Sequence, residues 1–211
     1  NEPCIAMVKQ AFHQARQEAE WPAITLAEPV TTYAGQVSLN FLGGDVTPEA
    51  AESLAELASQ PDVHVRIANH HRVFVFGVDQ GSLETKIARL PALQEAARPG
   101  PAIVACPGKR WCKHGLTHTV DMARRIREEL SGVLPSHVSV CISGCPNGCA
   151  QSAVADIGLV GMLKTEDGLQ HDAYNLLLHG GMGRDERLAR LDAQRLRPDE
   201  IIARLKDGQQ F

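Results

Sequence analysis

Four of the six cysteines fall in two short loops: Cys106 and Cys112 in A-C-P-G-K-R-W-C-K-H-G, and Cys145 and Cys149 in S-G-C-P-N-G-C. The spacing is C-x5-C, then 32 residues, then C-x3-C. Four thiolates are soft anionic ligands of the kind a cubane iron–sulfur cluster takes, one per iron. Pro107-Gly108 and Pro146-Asn147-Gly148 give the loops the freedom to wrap such a core and aim amides at its sulfurs. Zinc is the alternative, but zinc knuckles usually hold their paired ligands two to four residues apart. Here C-x5-C is long for a knuckle, and the stretch between the pairs has room for a helix and a strand. Three disulfides suit a small secreted scaffold better than a chain of 211 residues. A [4Fe-4S] cluster is therefore expected at Cys106, Cys112, Cys145 and Cys149, in a reducing, cytoplasmic setting that keeps the thiolates unpaired. Cys141 lies inside an apolar run and reads as a core residue; Cys4 reads as a free thiol.

The composition bounds what such a cluster could serve. A length of 211 residues allows one large or two small domains, and 44% hydrophobic residues is enough for a core. The net charge of −4 offers nothing to nucleic acid. No apolar run approaches the ~20 residues of a membrane-spanning helix, and no signal-like stretch opens the chain. The first residue is Asn1, so the chain reads as processed, trimmed or the distal part of a longer polypeptide. Cations are uneven: Lys109, Arg110, Lys113 and His114 crowd the first cysteine pair, and Trp111 between them reads as packing over the cluster.

The elements that must position these loops follow from periodicity and punctuation. Residues 5–20 read as an amphipathic helix and 22–32 as an extended linker. A β-α-β-β-α order then follows: a strand at 36–42; a helix over 48–59 capped by Thr47 with Pro48 in its first turn; strands at 63–67 and 73–78 joined at Asn69-His70-His71; and a helix over 82–96. With a closing strand near 102–105 this makes a ferredoxin-like α/β sandwich. After Pro99-Gly100-Pro101, the pattern predicts a helix over 117–130 and strands at 137–142, 157–162 and 174–179. The last two are separated by a polar turn at 164–172, and a final helix runs over 197–206. The expected organisation is α+β: an N-terminal helix and linker (1–32), the ferredoxin-like domain (33–98) and a cysteine-bearing α+β domain (99–211).

C-x5-C followed by G-C-P-N-G-C resembles the signature of the sirohaem-dependent sulfite and nitrite reductases. The likeness extends to V-R-I-A-N-H-H-R at 65–72, A-D-I-G-L-V-G at 155–161 and Y-N-L-L-L-H-G-G at 174–181, and so spans residues 35–206. It implies that the second domain is a sirohaem/[4Fe-4S]-binding α+β domain, and that Cys149 also bridges the cluster to the sirohaem iron. It implies six-electron reduction of sulfite to sulfide or of nitrite to ammonia, fed by a low-potential donor such as a ferredoxin or flavoprotein. Sirohaem carries eight carboxylates, so Arg66, Asn69, His70, His71, Arg72, Lys109, Arg110, Lys113, Asn147 and Gln151 are the candidate donors to it. Gly180 and Gly181 would allow close approach to the ring, and His70, Arg72, Lys109 or Arg110 would meet the substrate beside Cys149.

The same resemblance marks what is missing. Larger members have two related halves, and this chain resembles the cluster-bearing second half. The two Arg and two Lys that hold the substrate come chiefly from the other half and have no match here. A homodimer or a second subunit would complete the pocket. Two alternatives share the cluster: a precorrin-3B synthase-like oxygenase, and an electron-transfer iron–sulfur subunit without catalytic sirohaem.

Overall fold

The computed structural model describes residues 33–181 and 187–207. The expected helix at 5–20, the linker at 22–32 and Cys4 lie outside the described residues. Two sheets carry the fold. The first has three antiparallel strands, β1 (Gly35–Asn40), β2 (Val63–Ala68) and β3 (Arg72–Gly77), in the order β1-β3-β2. Helices α1 (Pro48–Ala58) and α2 (Gln80–Ala88) cover one face. Both helices start where side chains can take orphan amides: Thr47 Oγ1 accepts the Ala50 N–H at 3.2 Å and Asp79 Oδ1 accepts the Ser82 N–H at 2.7 Å. The period of two puts Val37, Leu39, Val63, Val73 and Val75 toward the helices, where they pack with Leu57, Leu83 and Ile87. The other face carries Arg66, Arg72, Phe74 and Phe76.

The second sheet has five strands: β4 (Ala102–Ala105), β5 (Ser139–Ser143), β6 (Ile157–Glu166), β7 (Leu169–Leu178) and β8 (Arg190–Leu196), adjacent in that order. Strands β4, β5 and β6 are parallel, and the rest antiparallel. A four-residue helix α3 (Gly108–Trp111) and α4 (Thr119–Glu129) lie between β4 and β5, and α5 (Pro198–Asp207) closes the chain. Met122 and Ile126 of α4 and Ile201, Ile202 and Leu205 of α5 bury against Ile103, Val140, Ile142, Leu159, Tyr174 and Leu176 of the sheet.

Several expectations are corrected. The strand at 102–105 does not close the first sheet; it pairs with β5, and Ile103, Val104 and Ala105 are buried, as suits a parallel strand covered on both faces. The first sheet meets it through one side chain instead. Asn40 Nδ2–H donates to the Ile103 carbonyl (3.1 Å), and Asn40 Oδ1 accepts the Ile103 N–H (3.2 Å). The helix predicted over 82–96 ends at Ala88, because Pro91 lacks an N–H and pushes Leu90 to an extended ψ of 90°. The strands predicted at 157–162 and 174–179 are ten residues each, and the polar 164–172 stretch belongs mostly to the ladder. The turn is Asp167-Gly168 alone, both with positive φ (50° and 79°), the two-residue hairpin geometry Asp-Gly favours.

Candidate functional site

Cys106 directly follows β4 and Cys145 follows β5 by one residue, so the parallel pairing sets both at the same end of neighbouring strands. The C-terminal ends of parallel strands are where α/β sheets hold ligands. Four glycines let the two loops meet there. A Cβ on Gly144 would lie 2.9 Å from the Gly108 Cα, one on Gly115 would lie 2.3 Å from the Gly108 carbonyl carbon, and one on Gly161 would lie 2.5 Å from Gly144. Backbone bonds fix the approach: Leu116 N–H donates to the Gly144 carbonyl (2.8 Å) and Lys109 N–H to the Thr117 carbonyl (2.8 Å). Gly144 N–H points at Cys106 Sγ (3.1 Å), the kind of amide-to-sulfur bond that stabilises a thiolate and tunes a cluster. Thr119, fully buried, donates through Oγ1 to the Cys106 carbonyl.

The second loop is clasped at its two ends. Ser143 and Ser152 Oγ atoms are 2.8 Å apart; Ser152 also reaches the Cys141 and Leu159 carbonyls, and Ser143 Oγ accepts the Ala150 N–H at 3.2 Å. Inside the clasp, Gly148 (φ 68°) and Gln151 (φ 60°) make the left-handed turns. The loop buries Cys145 and exposes Cys149, while Cys106 and Cys112 are half-buried. Among the described residues no three His, Cys, Asp or Glu side chains converge on one point as a single metal ion needs. Four cysteine thiols on two loops are the donor chemistry that a cubane takes, one thiolate to each iron. Cys141 is fully buried beside Val104, Ala150 and Ala155, and loss of solvation raises its thiol pKa to about 12, so it is core.

Beside the second loop lies a cleft of about 730 Å³, walled by Pro146, Gly148, Gln151, Val154, Val160, Gly181, Arg187 and Leu188. Of the expected cofactor residues, Gln151 and Gly181 line it. Asn147 is exposed on the same loop. At Gly180 a Cβ would lie 2.2 Å from the Ala155 carbonyl oxygen, so packing of the β7 end requires glycine. Arg187 was not expected; its Nε–H donates to the His179 carbonyl at 2.8 Å, which holds it at the cleft. No spacing in G-M-G-R-D-E-R singled it out from its neighbours.

The remaining candidates sit on other surfaces. Lys109, Arg110 and Lys113 are exposed on and after α3. Trp111 is 71% exposed and carries the Arg110 guanidinium at 5.2 Å from its ring centre. Arg66 is exposed on the first sheet, donating from Nε to His64 Nε2 (3.0 Å) and lying over Phe76. Asn69, His70 and His71 form the β2–β3 turn, with positive φ at both histidines. His71 is half-buried against Gly44, and desolvation, then the neighbouring His70, lower its pKa. His70, His71 and Arg72 line a groove with Phe41, Gly44 and Val46, not the cleft beside the second cysteine loop. Arg72 also borders a pocket that contains Ala102 and Ser136, beside the N-terminal ends of β4 and β5, whereas the cysteines follow the C-terminal ends.

Fold and site together define an α+β domain with four cysteines on two glycine-packed loops at one end of a mixed sheet. Residues 101–207 match the family described as the nitrite and sulphite reductase 4Fe-4S domain, and the chain belongs to that family. It is 32% identical over 164 residues to a ferredoxin–nitrite reductase of Synechococcus elongatus, covering 72% of this chain and 32% of the relative. It is 30% identical over 126 residues to a coenzyme F420-dependent sulfite reductase of Methanocaldococcus jannaschii, covering 57% of this chain and 20% of the relative. The fold resembles that of the Mycobacterium tuberculosis NirA protein, with a TM-score of 0.67 at 23% identity, over 81% of this chain and 34% of the other. The chain thus spans about a third or less of these proteins. Among the described residues no helix is long and apolar enough to cross a membrane.

Proposed function

We propose that this chain is the cluster-bearing part of a sirohaem- and [4Fe-4S]-dependent reductase that carries out the six-electron reduction of sulfite to sulfide or of nitrite to ammonia. The observation that carries the reading is the meeting of the two cysteine loops at one end of β4 and β5, with a cleft of about 730 Å³ against the loop that exposes Cys149. When bound, cluster and sirohaem supply stored electrons and the iron at which an oxyanion loses oxygen. The chain's own residues hold and orient. Cys106, Cys112 and Cys145 would hold the cluster, and Cys149, the most exposed of the four, would also serve the second group. Gln151 and Arg187 offer donors to macrocycle carboxylates, and Val154, Val160 and Leu188 offer apolar contact to its ring. Lys109, Arg110 and Lys113 make no ion pair with any described residue. With exposed Trp111 they give an acidic donor, ferredoxin or flavoprotein, an approach to the first cysteine loop. A second copy, another subunit or further polypeptide beyond this sequence would supply the wall that faces the substrate, since the basic hairpin residues line a different groove.

The test is an anaerobic spectrum of the holoprotein with cofactor extraction, before and after Cys149→Ser. An extractable iron tetrahydroporphyrin, and loss of sulfite- or nitrite-dependent oxidation of a reduced dye in Cys149→Ser, are expected. A brown protein with cluster alone would instead make the chain an electron-transfer subunit and overturn the reductase reading.

A further inference from the structure

Three arginines from three different elements meet in a pocket of about 370 Å³ beside the N-terminal ends of β4 and β5: Arg72 from β3, Arg98 from the connection before β4, and Arg127 from α4. Arg127 is 7% exposed and fixed. Its Nη2 donates to the Asn40 carbonyl (3.0 Å) and Asn40 Oδ1 (2.7 Å), and its Nη1 to the Glu95 carbonyl (3.1 Å). Its one carboxylate contact, Glu95 Oε1, is 3.5 Å away, and Glu95 reaches Arg98 only at 3.7 Å. Arg72 lies over the Phe74 ring at 5.3 Å, and its Nε is buried with no hydrogen-bond partner among the described residues. The pocket thus gathers guanidinium groups with few close carboxylate partners.

The backbone points the same way. Strand β1 is an edge strand, and its outward amides at Gln36 and Asn40 are taken by Gln80 Oε1 (2.9 Å) and the Ala96 carbonyl (2.8 Å). The alternation of the ladder turns the Ser38 amide outward between them, and Ser38 lines the pocket. The one acidic side chain in the lining, Glu84, accepts Gln80 Nε2–H at 2.6 Å. Three cations against Glu84 and a loosely paired Glu95 leave the pocket short of negative charge.

We propose that this pocket binds a tetrahedral oxyanion of the sulfate or phosphate type, held by Arg72, Arg98 and the Ser38 amide, with Arg127 as a fixed back wall. Guanidinium edges bind such oxygens in pairs, and donors from three separate elements can serve three oxygens of one ion. The site is separate from the cysteine loops: the four residues of β4, roughly 13 Å of strand, lie between them.

Equilibrium dialysis of the full-length holoprotein against labelled inorganic sulfate, and separately inorganic phosphate, at constant ionic strength tests this. One saturable site per chain is expected. Arg72→Gln and Arg98→Gln, which remove partly exposed groups, should each weaken it about tenfold or more, while Arg89→Gln, an exposed arginine outside the pocket, should leave it unchanged. The pocket is larger than a bare oxyanion, so glycerol 3-phosphate forms a third arm. Tighter binding than phosphate assigns the remaining volume to an ester, and equal or weaker binding assigns the site to the free ion. No saturable binding, or binding that survives both pocket variants, overturns the proposal.

Discussion

The two ends of the five-stranded sheet are built by opposite means. At the C-terminal ends of β4 and β5 the chain removes side chains: Gly108, Gly115, Gly144 and Gly161 bring backbone against backbone so that soft thiolates are held on two touching loops. Toward the N-terminal ends it adds long charged ones, and Arg127 spans from α4 to Asn40 of the first sheet. The first arrangement suits a group that must be enclosed and bonded by sulfur. The second suits joining two layers while leaving donors free. The comparison separates a site made by backbone proximity from a joint made by side-chain reach, and substitutions should affect the two ends differently.

The largest expected effect is at the glycine end. Gly115→Ala puts a methyl 2.3 Å from backbone atoms that cannot rotate away. Stability should fall by about 3 kcal/mol or more, and iron retained after anaerobic reconstitution should drop to near zero. Full iron content in this variant would show that the loops do not need this contact. At the arginine end, Arg127→Met keeps the stem but leaves the Asn40 and Glu95 carbonyls without their donor. We expect about 2–4 kcal/mol in urea denaturation with iron content preserved. Loss of the cluster in that variant would merge the two ends into one unit.

Smaller effects test the first sheet alone. Asp79→Ala removes the cap on α2 and should cost about 1 kcal/mol without touching either end of the second sheet. His71 carries a pH signature. Burial lowers its pKa in the folded chain, so the unfolded chain binds more protons as pH falls below the ordinary histidine value of about 6.5. Stability should therefore be complete above about pH 7 and decline as pH drops toward 5, by less than about 1 kcal/mol because the ring is only half-buried. His71→Phe should flatten that slope in thermal denaturation followed across the same range.

Much of this was legible in the sequence because the signals were local. The cysteine spacing, the Thr47-Pro48 helix start and the alternation of β2 and β3 are read from neighbouring residues, and the structure carries the helix start and both strands. What escaped reading depends on distant partners. The sheet to which Ala102–Ala105 belongs is decided by β5 and by the Asn40 side chain, 63 residues from Ile103. Strand β8 is an edge strand of mostly exposed polar residues with bulged pairing, so it shows little period of two. The surfaces on which the basic residues sit also depend on distant partners. Lys109, Arg66 and Arg72 look alike in sequence, but Lys109 lies on α3, while Arg66 and Arg72 share the open face of the first sheet, where Arg72 also lines the arginine pocket. Arg187 reached the cleft only because a backbone carbonyl at His179 holds it there.

The most direct test of the central claim, that Cys106, Cys112, Cys145 and Cys149 together hold a cubane, is the iron and acid-labile sulfide content of the anaerobically reconstituted chain. About four irons and four sulfides per chain are predicted. One tightly bound zinc with no sulfide would contradict the account.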